Sequence, residues 1–436
     1  MSDLLFARGQ MALSLVFHII FAAIGIAMPL FMVIAEIQWR RTGDAVYLKL
    51  AKSWAKGTAV LFAVGAVSGT VLSFELGLLF PEFMRHAGGV IGMPFSLEGF
   101  AFFTEAIFLG IYLYGRDRVA PRWHLAAGVV VAVSGALSAL FVILANAWMN
   151  APTGFTWHRD ATGQLVISDV DPIAAMLSPH AAHQVVHMLL AAYLATALAM
   201  AGVHAWALLR ARANRALHGR ALAIALAVAI PGALAQGVVG HWSGQVIARE
   251  QPMKLAAIEG LVKTQSRAPL HVGPVAVPGL LSLMAFNDPD AVVRGLEEIP
   301  RADWPHPITR WAFQAMVGMG GLMILVMLWA ALRWWRGRRR PPATPWWDSR
   351  RFLQALIMCA PLGFLAIEAG WIVTEVGRQP WVITGVLRTA EAATPMPGLV
   401  YKFVGFTIIY LGLGVTVAWV LARMIRASAS DDKAAT

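Results

Sequence analysis

The sequence predicts an all-α polytopic membrane protein with about nine transmembrane helices, its N-terminus outside and its C-terminus in the cytoplasm. Three observations support this fold class. The chain of 436 residues is 58% hydrophobic and only 14% charged, whereas soluble domains carry roughly 25% charged residues. It contains repeated apolar runs of membrane-spanning length, and its basic residues collect in alternate loops. A large soluble helical protein is therefore the weaker interpretation.

The apolar runs define the elements. Each is about 20 residues or more, the length that a helix needs to cross a hydrocarbon core of about 30 Å. In chain order they lie at 11–35, 56–80, 95–114, 124–148, 184–208, 221–245, 311–332, 352–375 and 400–422. They divide the chain into 1–245 with six spans, an outside loop at 246–310 that is too short for a large domain, and 311–436 with three spans and a tail.

The net charge of +11 is unevenly distributed. Basic residues crowd into alternate loops, at Arg40, Arg41, Lys49 and Lys52, at Arg116, Arg118 and Arg122, at Arg210, Arg212, Arg215 and Arg220, and most densely between Arg333 and Arg351. Cytoplasmic loops of membrane proteins carry such an excess of Lys and Arg. The pattern sets the predicted orientation, and it explains the positive charge without a nucleic-acid partner.

Cysteine usage and the N-terminal sequence argue against three further features. Cys359 is the only cysteine, so no internal disulfide can form, and no Cys-x-x-Cys-His sequence offers covalent haem attachment. No basic segment precedes the first apolar run, so we expect no cleavable signal peptide.

Few ionisable or metal-ligating side chains lie within the apolar runs, where such a group is costly unless it is paired or faces a cavity. The set comprises His18, Glu98, Glu105, His187, Met316, Glu368 and Glu375. Helices one, three, five and seven enter from outside in the predicted topology, and helix eight runs outward. All of the set except Glu105 and Glu368 is therefore expected in the outer half of the membrane.

Histidine and methionine side chains from different helices at one depth suggest haem iron. A His/Met pair gives six-coordinate iron that transfers electrons, and iron with a weak or missing ligand binds O₂. His187 and Met316 suit the first kind of site, and His18 and Glu375 suit the second.

Two alternatives remain open for these ligands. Met316 is one of 19 methionines, and most methionines are packing residues. His180, His183 and His187 could instead hold zinc, because positions 183 and 187 share a helical face.

Glu98 and Glu105 are seven residues apart, which places them about 10.5 Å apart along one helical face. They could form a structural pair, but no intramembrane Lys or Arg is available to them, so we favour a proton-carrying face. Asp117 lies at the inner end of the same helix, and Ser138 on the next helix could bridge the acids through water.

The segments around these residues resemble subunit I of the cytochrome bd-type quinol oxidases over nearly the whole chain. The matching segments are "ARGQMALSLVFHIIFA" with His18, "SLEGFAFFTEAIFLG" with Glu98 and Glu105, "LSALFVILANAWM" with Ser138 and Asn146, "VVHMLLAAY" with His187, "REQPMKLAAIEG" with Lys254 and Glu259, "FQAMVG" with Met316, and "EAGWIVTEVGRQPW" with Trp371, Glu375 and Arg378. The longer motifs and their order make the resemblance specific.

The resemblance implies three haems. His187 and Met316 would ligate a low-spin b haem, and His18 and Glu375 would be axial ligands at the two high-spin haems, one of type b and a third of type d or b in its place. Trp371 would lie beside the haems.

The resemblance also implies how substrates and partners are handled. Lys254 and Glu259 would begin the quinol-binding loop within 246–310, and the two acids of helix three would lie near the oxygen site and its proton route. Arg378 would compensate haem propionate charge. Quinol and O₂ would be the substrates, and a second oxidase subunit and a small single-helix subunit the partners, in the bacterial cytoplasmic (inner) membrane.

The sequence departs from the family's long-loop members in three respects. Gln314 stands where those members have an arginine, two residues before the methionine ligand. The quinol loop is short, and the spacing of Glu98 and Glu105 differs by one. The short loop and this spacing fit the cyanide-insensitive branch of the family.

Two other function classes compete with a quinol oxidase. A b-haem electron-transfer membrane anchor would need paired ligands but no open iron and no buried acids leading to it. A proton-coupled transporter would gather its acids near the midplane, at broken helices. The acids of helix three disfavour the anchor, and the clustering of ligands outside the midplane disfavours the transporter.

Overall fold

The structure is a computed structural model that describes residues 3–161, 163–210, 214–273, 275–339 and 345–430. The predicted tail from residue 431 onward lies outside the described residues. Within them, nine segments are long and apolar enough to cross a membrane. Each of the nine predicted runs falls on one of these segments, so the predicted all-α membrane fold with about nine spans is confirmed, while the orientation stays a prediction.

The membrane-spanning helices are α1 (Asp3–Thr42), α2 (Ala45–Leu79), α3 (Pro81–Tyr114), α4 (Pro121–Asn150), α6 (Ala181–Arg210), α7 (Arg215–Glu250), α10 (Ile308–Arg339), the pair α11 (Arg350–Cys359) and α12 (Leu362–Val376), and α14 (Leu399–Ser430). The shorter helices are α5 (Pro172–Met176), α8 (Pro252–Glu259), α9 (Leu280–Phe286) and α13 (Thr389–Ala392), with single 3-10 turns at Leu296–Glu298 and Arg301–Asp303.

Short antiparallel strand pairs lie in the loops that connect the spans. They are β1 (Thr156–Arg159) with β2 (Leu165–Ser168), β3 (Gln265–Ser266) with β6 (Val292–Val293), β4 (Leu270–Val272) with β5 (Val275–Val277), and β7 (Trp381–Ile383) with β8 (Leu387–Arg388). None of the described pairs joins two spans, so the architecture is helical throughout the membrane.

The eighth span is broken, although its sequence predicts one apolar run. α11 ends at Cys359 and α12 begins at Leu362. Pro361 has no backbone N–H to donate, and its ring crowds the preceding turn of a helix. The break therefore follows from a residue that is visible in the sequence.

Contacts between loops define two ends of the bundle. At the end where α1 begins, called the N-terminal end, the Leu399 backbone N–H donates to Asp3 and the Gln251 side chain donates to the Asn150 carbonyl at 2.7 Å. At the opposite end, called the basic end, Arg215 pairs with Asp348 at 2.7 Å. The strands and all of the short helices lie at the N-terminal end.

α1 is the central helix and packs against α2, α4, α6 and α14. The contact between α6 and the broken span is especially close. A Cβ added at Gly363 would lie 2.4 Å from Ala195 Cα, and one added at Gly202 would lie 2.4 Å from Ala360 Cβ. Small residues let helix backbones meet in this way in membrane proteins. α6 is thereby held against both halves of the eighth span.

Candidate functional site

His18 lies on α1, facing α2. Its Nδ1 is 3.0 Å from Ser68 Oγ, and Ser68 Oγ lies 2.9 Å from the Val64 carbonyl. The hydroxyl has one hydrogen, which the carbonyl accepts, so Ser68 Oγ accepts from a protonated His18 Nδ1. Nε2 is then the unprotonated nitrogen, the form in which histidine binds a metal.

The absence of a side chain at Gly69 leaves space for the imidazole ring of His18. A Cβ built at this position would lie 2.9 Å from His18 Cε1 and 3.5 Å from each ring nitrogen. The polar contact of His18 with Ser68 and the missing side chain at Gly69 come from consecutive residues of α2. Both were missed by a search for ionisable residues alone.

His187 and Met316 lie on α6 and α10, among helices that pack together with α7 and α12. His187 Nε2 is 3.2 Å from the side-chain nitrogen of Gln236 on α7, and its buried Nδ1 has no hydrogen-bond partner among the described residues. On the other side, a Cβ added at Gly370 of α12 would lie 3.1 Å from Met316 Sδ. Gln236 was not found from the sequence.

Glu375 is held from two sides. Its Oε1 accepts from Asn146 Nδ2 at 2.5 Å, and its Oε2 accepts from Arg378 Nη2 at 2.6 Å. Arg378 is 4% exposed, and its Nε and Nη1 have no hydrogen-bond partner within the described part of the chain. The guanidinium therefore retains free donors beside the carboxylate, where a further anion can bind.

The contacts of Asn146 continue towards the quinol loop expected at 246–310. Asn150 Nδ2 donates to Asn146 Oδ1 at 3.1 Å and to its carbonyl at 2.9 Å. Lys254 Nζ, from α8, donates to Asn150 Oδ1 at 2.6 Å. An unbroken series of side-chain hydrogen bonds thus joins Lys254 to Glu375. Asn150 was not singled out in the sequence, because a neutral amide at a helix end gives no signal of its own.

Lys254 and Glu259 are both buried, 5% and 7% exposed. Burial lowers the pKa of Lys254 to about 7, helped by the positive charge of Arg378 and opposed by Glu375. Burial also raises the pKa of Glu259 to about 7, opposed by the positive charge of Arg310. A solvated loop with an incidental ion pair is the alternative for these two residues, and their burial contradicts it. Both groups can gain or lose a proton near neutral pH.

Glu98 and Glu105 face α4, as their spacing predicts. Ser138 Oγ donates to Glu98 Oε1 at 3.1 Å. Glu105 is 5% exposed, and a Cβ added at Gly135 of α4 would lie 3.2 Å from Glu105 Oε1. Asp117 lies in an exposed turn just beyond the end of α3 at Tyr114. The described hydrogen bond of Ser138 thus goes to Glu98, the acid nearer the N-terminal end of the bundle.

Two other predicted residues lie in the same region of the bundle. Trp371 packs in a cluster with Ile19 of α1 and Ala192 of α6. Glu368, one turn earlier on α12, has both carboxylate oxygens buried and unpartnered among the described side chains. Such groups need a bound partner or water to be satisfied.

The zinc alternative finds little support. His183 Nε2 and His180 Nδ1 face each other at 3.0 Å, a hydrogen-bond distance, and His183 Nδ1 lies 3.1 Å from Ser243 Oγ. Across the described ranges, no group of three or more His, Cys, Asp or Glu side chains is placed to hold a metal ion. The two histidines bond to each other and to Ser243 instead.

Two buried acids escaped the sequence analysis. Glu75 of α2 is 4% exposed and accepts from Gln10 Nε2 at 2.6 Å. Glu36 of α1 is fully buried near the basic end, where Arg40 Nη2 donates to it at 2.6 Å and His124 Nδ1 lies 3.0 Å from each of its oxygens. Glu75 lies inside the second predicted apolar run, so the sequence alone could have identified it as an acid at membrane depth.

The donor set fits haem. His18 presents a free Nε2, Arg378 has unpartnered donors suited to a propionate, and Gly69 and Gly370 leave space beside His18 and Met316. These features lie in one helix bundle, in the half towards the N-terminal end, with Arg378 in the turn that follows α12.

Comparisons with known proteins identify the family of this chain. The family model for cytochrome bd terminal oxidase subunit I matches residues 6–429. A Bacillus subtilis protein provisionally named cytochrome bd menaquinol oxidase subunit I is 36% identical, with 99% of this chain and 98% of that protein covered. Cytochrome bd ubiquinol oxidase subunit 1 of the same organism is 29% identical, with 99% and 95% covered.

A solved structure gives the same result for the fold. The bd oxidase from Geobacillus thermodenitrificans superimposes with a TM-score of 0.88 at 38% identity, covering 98% of each chain. The chain belongs to the family of cytochrome bd terminal oxidase subunit I.

Proposed function

We propose that this protein is the haem-binding subunit of a quinol:O₂ oxidoreductase, which oxidises quinol at the outer membrane face and reduces O₂ to water with protons taken from the cytoplasm. Family membership supports the reaction, since relatives are named as menaquinol and ubiquinol oxidase subunits. It also disfavours the two competing classes, the b-haem anchor and the proton-coupled transporter.

The observation that carries the proposal is the burial of Lys254 and Glu259 on α8. This helix lies at the N-terminal end of the bundle, next to the helices that hold the candidate ligand residues. A buried lysine and a buried glutamate with pKa values near 7 are an unusual pair for a surface loop. Lys254 binds a quinol oxygen by donating a hydrogen bond, and Glu259 accepts the hydroxyl proton as a general base. The segment 246–310 is then the periplasmic quinol-binding loop.

The ligand residues would hold three haems. His187 and Met316 bind a low-spin b haem, His18 and Glu375 bind at the two high-spin haems, and Arg378 neutralises propionate charge while Trp371 packs beside the rings. When bound, haem supplies electron transfer and O₂ reduction, whereas the protein sets ligation and electrostatics.

Protons for O₂ reduction follow α3 and α4 from the basic end. Glu105 and Glu98 carry them, and Ser138 holds the Glu98 carboxylate in place. Electrons from quinol and protons from the cytoplasm then meet at the N-terminal half, so charge crosses the bilayer without a pump. The positive-inside rule supports the orientation, because the arginine-rich loops lie at the basic end. A second oxidase subunit and a small single-helix subunit complete the complex in the bacterial inner membrane.

The test is the variant Glu259→Gln, assayed with quinol and with an artificial donor that reduces the haems directly. We expect quinol turnover to fall by about 10²-fold or more, the typical contribution of a general base, while oxidation of the artificial donor is retained. Glu250→Gln is the matched control, because Glu250 is exposed and lies just before α8. An equal loss with both donors would refute a quinol-specific role for Glu259.

A further inference from the structure

The series of hydrogen bonds from Lys254 to Glu375 has one direction throughout. Lys254 donates to Asn150, Asn150 donates to Asn146, and Asn146 donates to Glu375. Each amide accepts with its oxygen and donates with its nitrogen, so donors and acceptors alternate from an ammonium to a carboxylate. Bonds aligned in this manner polarise one another.

The two amides of the series are also shielded from water, and Gln251 holds the end near Lys254. Asn150 is 1% exposed and Asn146 is 8% exposed. Gln251 donates to the backbone carbonyl of Asn150 at 2.7 Å, so two side chains from the start of α8 converge on the last residue of α4. In a buried site, electrostatic effects are screened less than at the surface.

We propose that Asn150 is a positioning residue that couples the quinol site to the haem site of Glu375, so that occupancy of one changes the equilibrium at the other. The inference rests on the proposed function of Lys254. When a quinol oxygen takes a hydrogen bond from the Lys254 ammonium, the bond to Asn150 Oδ1 weakens, and the donation from Asn146 to Glu375 Oε1 weakens with it. By linkage, the redox state of the iron at Glu375 changes the affinity of the quinol site by the same factor.

The coupling is tested by redox titration of the purified complex with and without heptyl-hydroxyquinoline N-oxide, a redox-inert quinone analogue. We expect the analogue to shift the midpoint of the Glu375-side haem in the parent protein. A tenfold preference of the analogue for one redox state corresponds to a shift of about 59 mV for one electron. In Asn150→Leu the shift should vanish and the KM for quinol should rise about tenfold, with haem content retained, because a buried lysine loses its acceptor.

Two further variants separate coupling from simple docking of α8. Asn150→Asp keeps an acceptor for Lys254 but loses the donor to Asn146, so the midpoint shift caused by the analogue should shrink. This variant tests the coupling even if Asn150→Leu fails to assemble. Gln251→Leu removes the donation to the Asn150 carbonyl and a long 3.5 Å contact with Asn150 Oδ1, but it keeps the three hydrogen bonds that join Lys254 to Glu375, so the KM rises and the shift remains. A full shift in Asn150→Asp, or none in a parent protein that oxidises quinol, would overturn the coupling. A parent that neither binds haem nor oxidises quinol would overturn the proposed function instead.

Discussion

Gly69→Ala should disturb one haem and leave another intact. The added methyl would lie 2.9 Å from His18 Cε1, whereas carbon atoms in contact are separated by about 3.5–4.0 Å. The ring must therefore move by roughly 0.6–1 Å, and Ser68 resists the movement through its hydrogen bond to Nδ1. Overpacking of this kind costs about 1–3 kcal/mol, and the gain of alanine over glycine in a helix offsets about 1 kcal/mol.

The assay is the reduced-minus-oxidised spectrum, together with haem content and thermal unfolding in detergent. We expect the high-spin signal of the haem bound by His18 to shift or diminish, while the low-spin signal is unchanged. Gly57→Ala is the control, since it lies on the same helix and its Cβ would meet no atom within 4 Å. Identical spectra and haem contents in the two variants would show that His18 does not hold an iron at this position.

The other predictions concern the electron and proton steps. Met316→Leu should keep the fold but abolish the low-spin His/Met spectrum, and an unchanged reduced spectrum and midpoint would contradict the ligand assignment. Quinol turnover should be bell-shaped in pH, because the base form of Glu259 is lost as pH falls below about 7 and the ammonium of Lys254 is lost as pH rises above about 7; Glu259→Gln should remove the acid limb. Glu105→Ala should slow O₂ reduction in enzyme whose haems are already reduced, with haem content retained, and oxygen-step kinetics matching the parent across pH would exclude a route through Glu105.

The nine spans were predictable because long apolar runs have few alternatives to a transmembrane helix. The break at Pro361 was missed when one apolar run was treated as one helix, although the proline was visible. The buried position of Lys254 was not predictable, because loop composition does not show that α8 folds back onto the end of α4.

The polar partners within the membrane were harder to predict than the ligands. A search for ionisable groups finds His18 and His187, but it passes over Ser68, Gln236 and Asn150, whose neutral side chains are common in helices. Their roles depend on which helix faces which, and that follows from the packing of the whole bundle. The candidate histidine ligands stand out by chemistry alone, whereas their partners are defined only by contact.

The close contact of α6 with the broken eighth span has a consequence for how this sequence can vary. Gly202 and Gly363 have no room for a larger side chain, since one added carbon would lie 2.4 Å from Ala360 Cβ and from Ala195 Cα, respectively. Outward positions such as Ile408, 65% exposed, accept most apolar residues. We therefore expect the amino acids on the outer faces of relatives to vary freely, and small residues to be kept at positions 202 and 363. A larger side chain there would push α6 away from the broken eighth span and so separate His187 from Glu375.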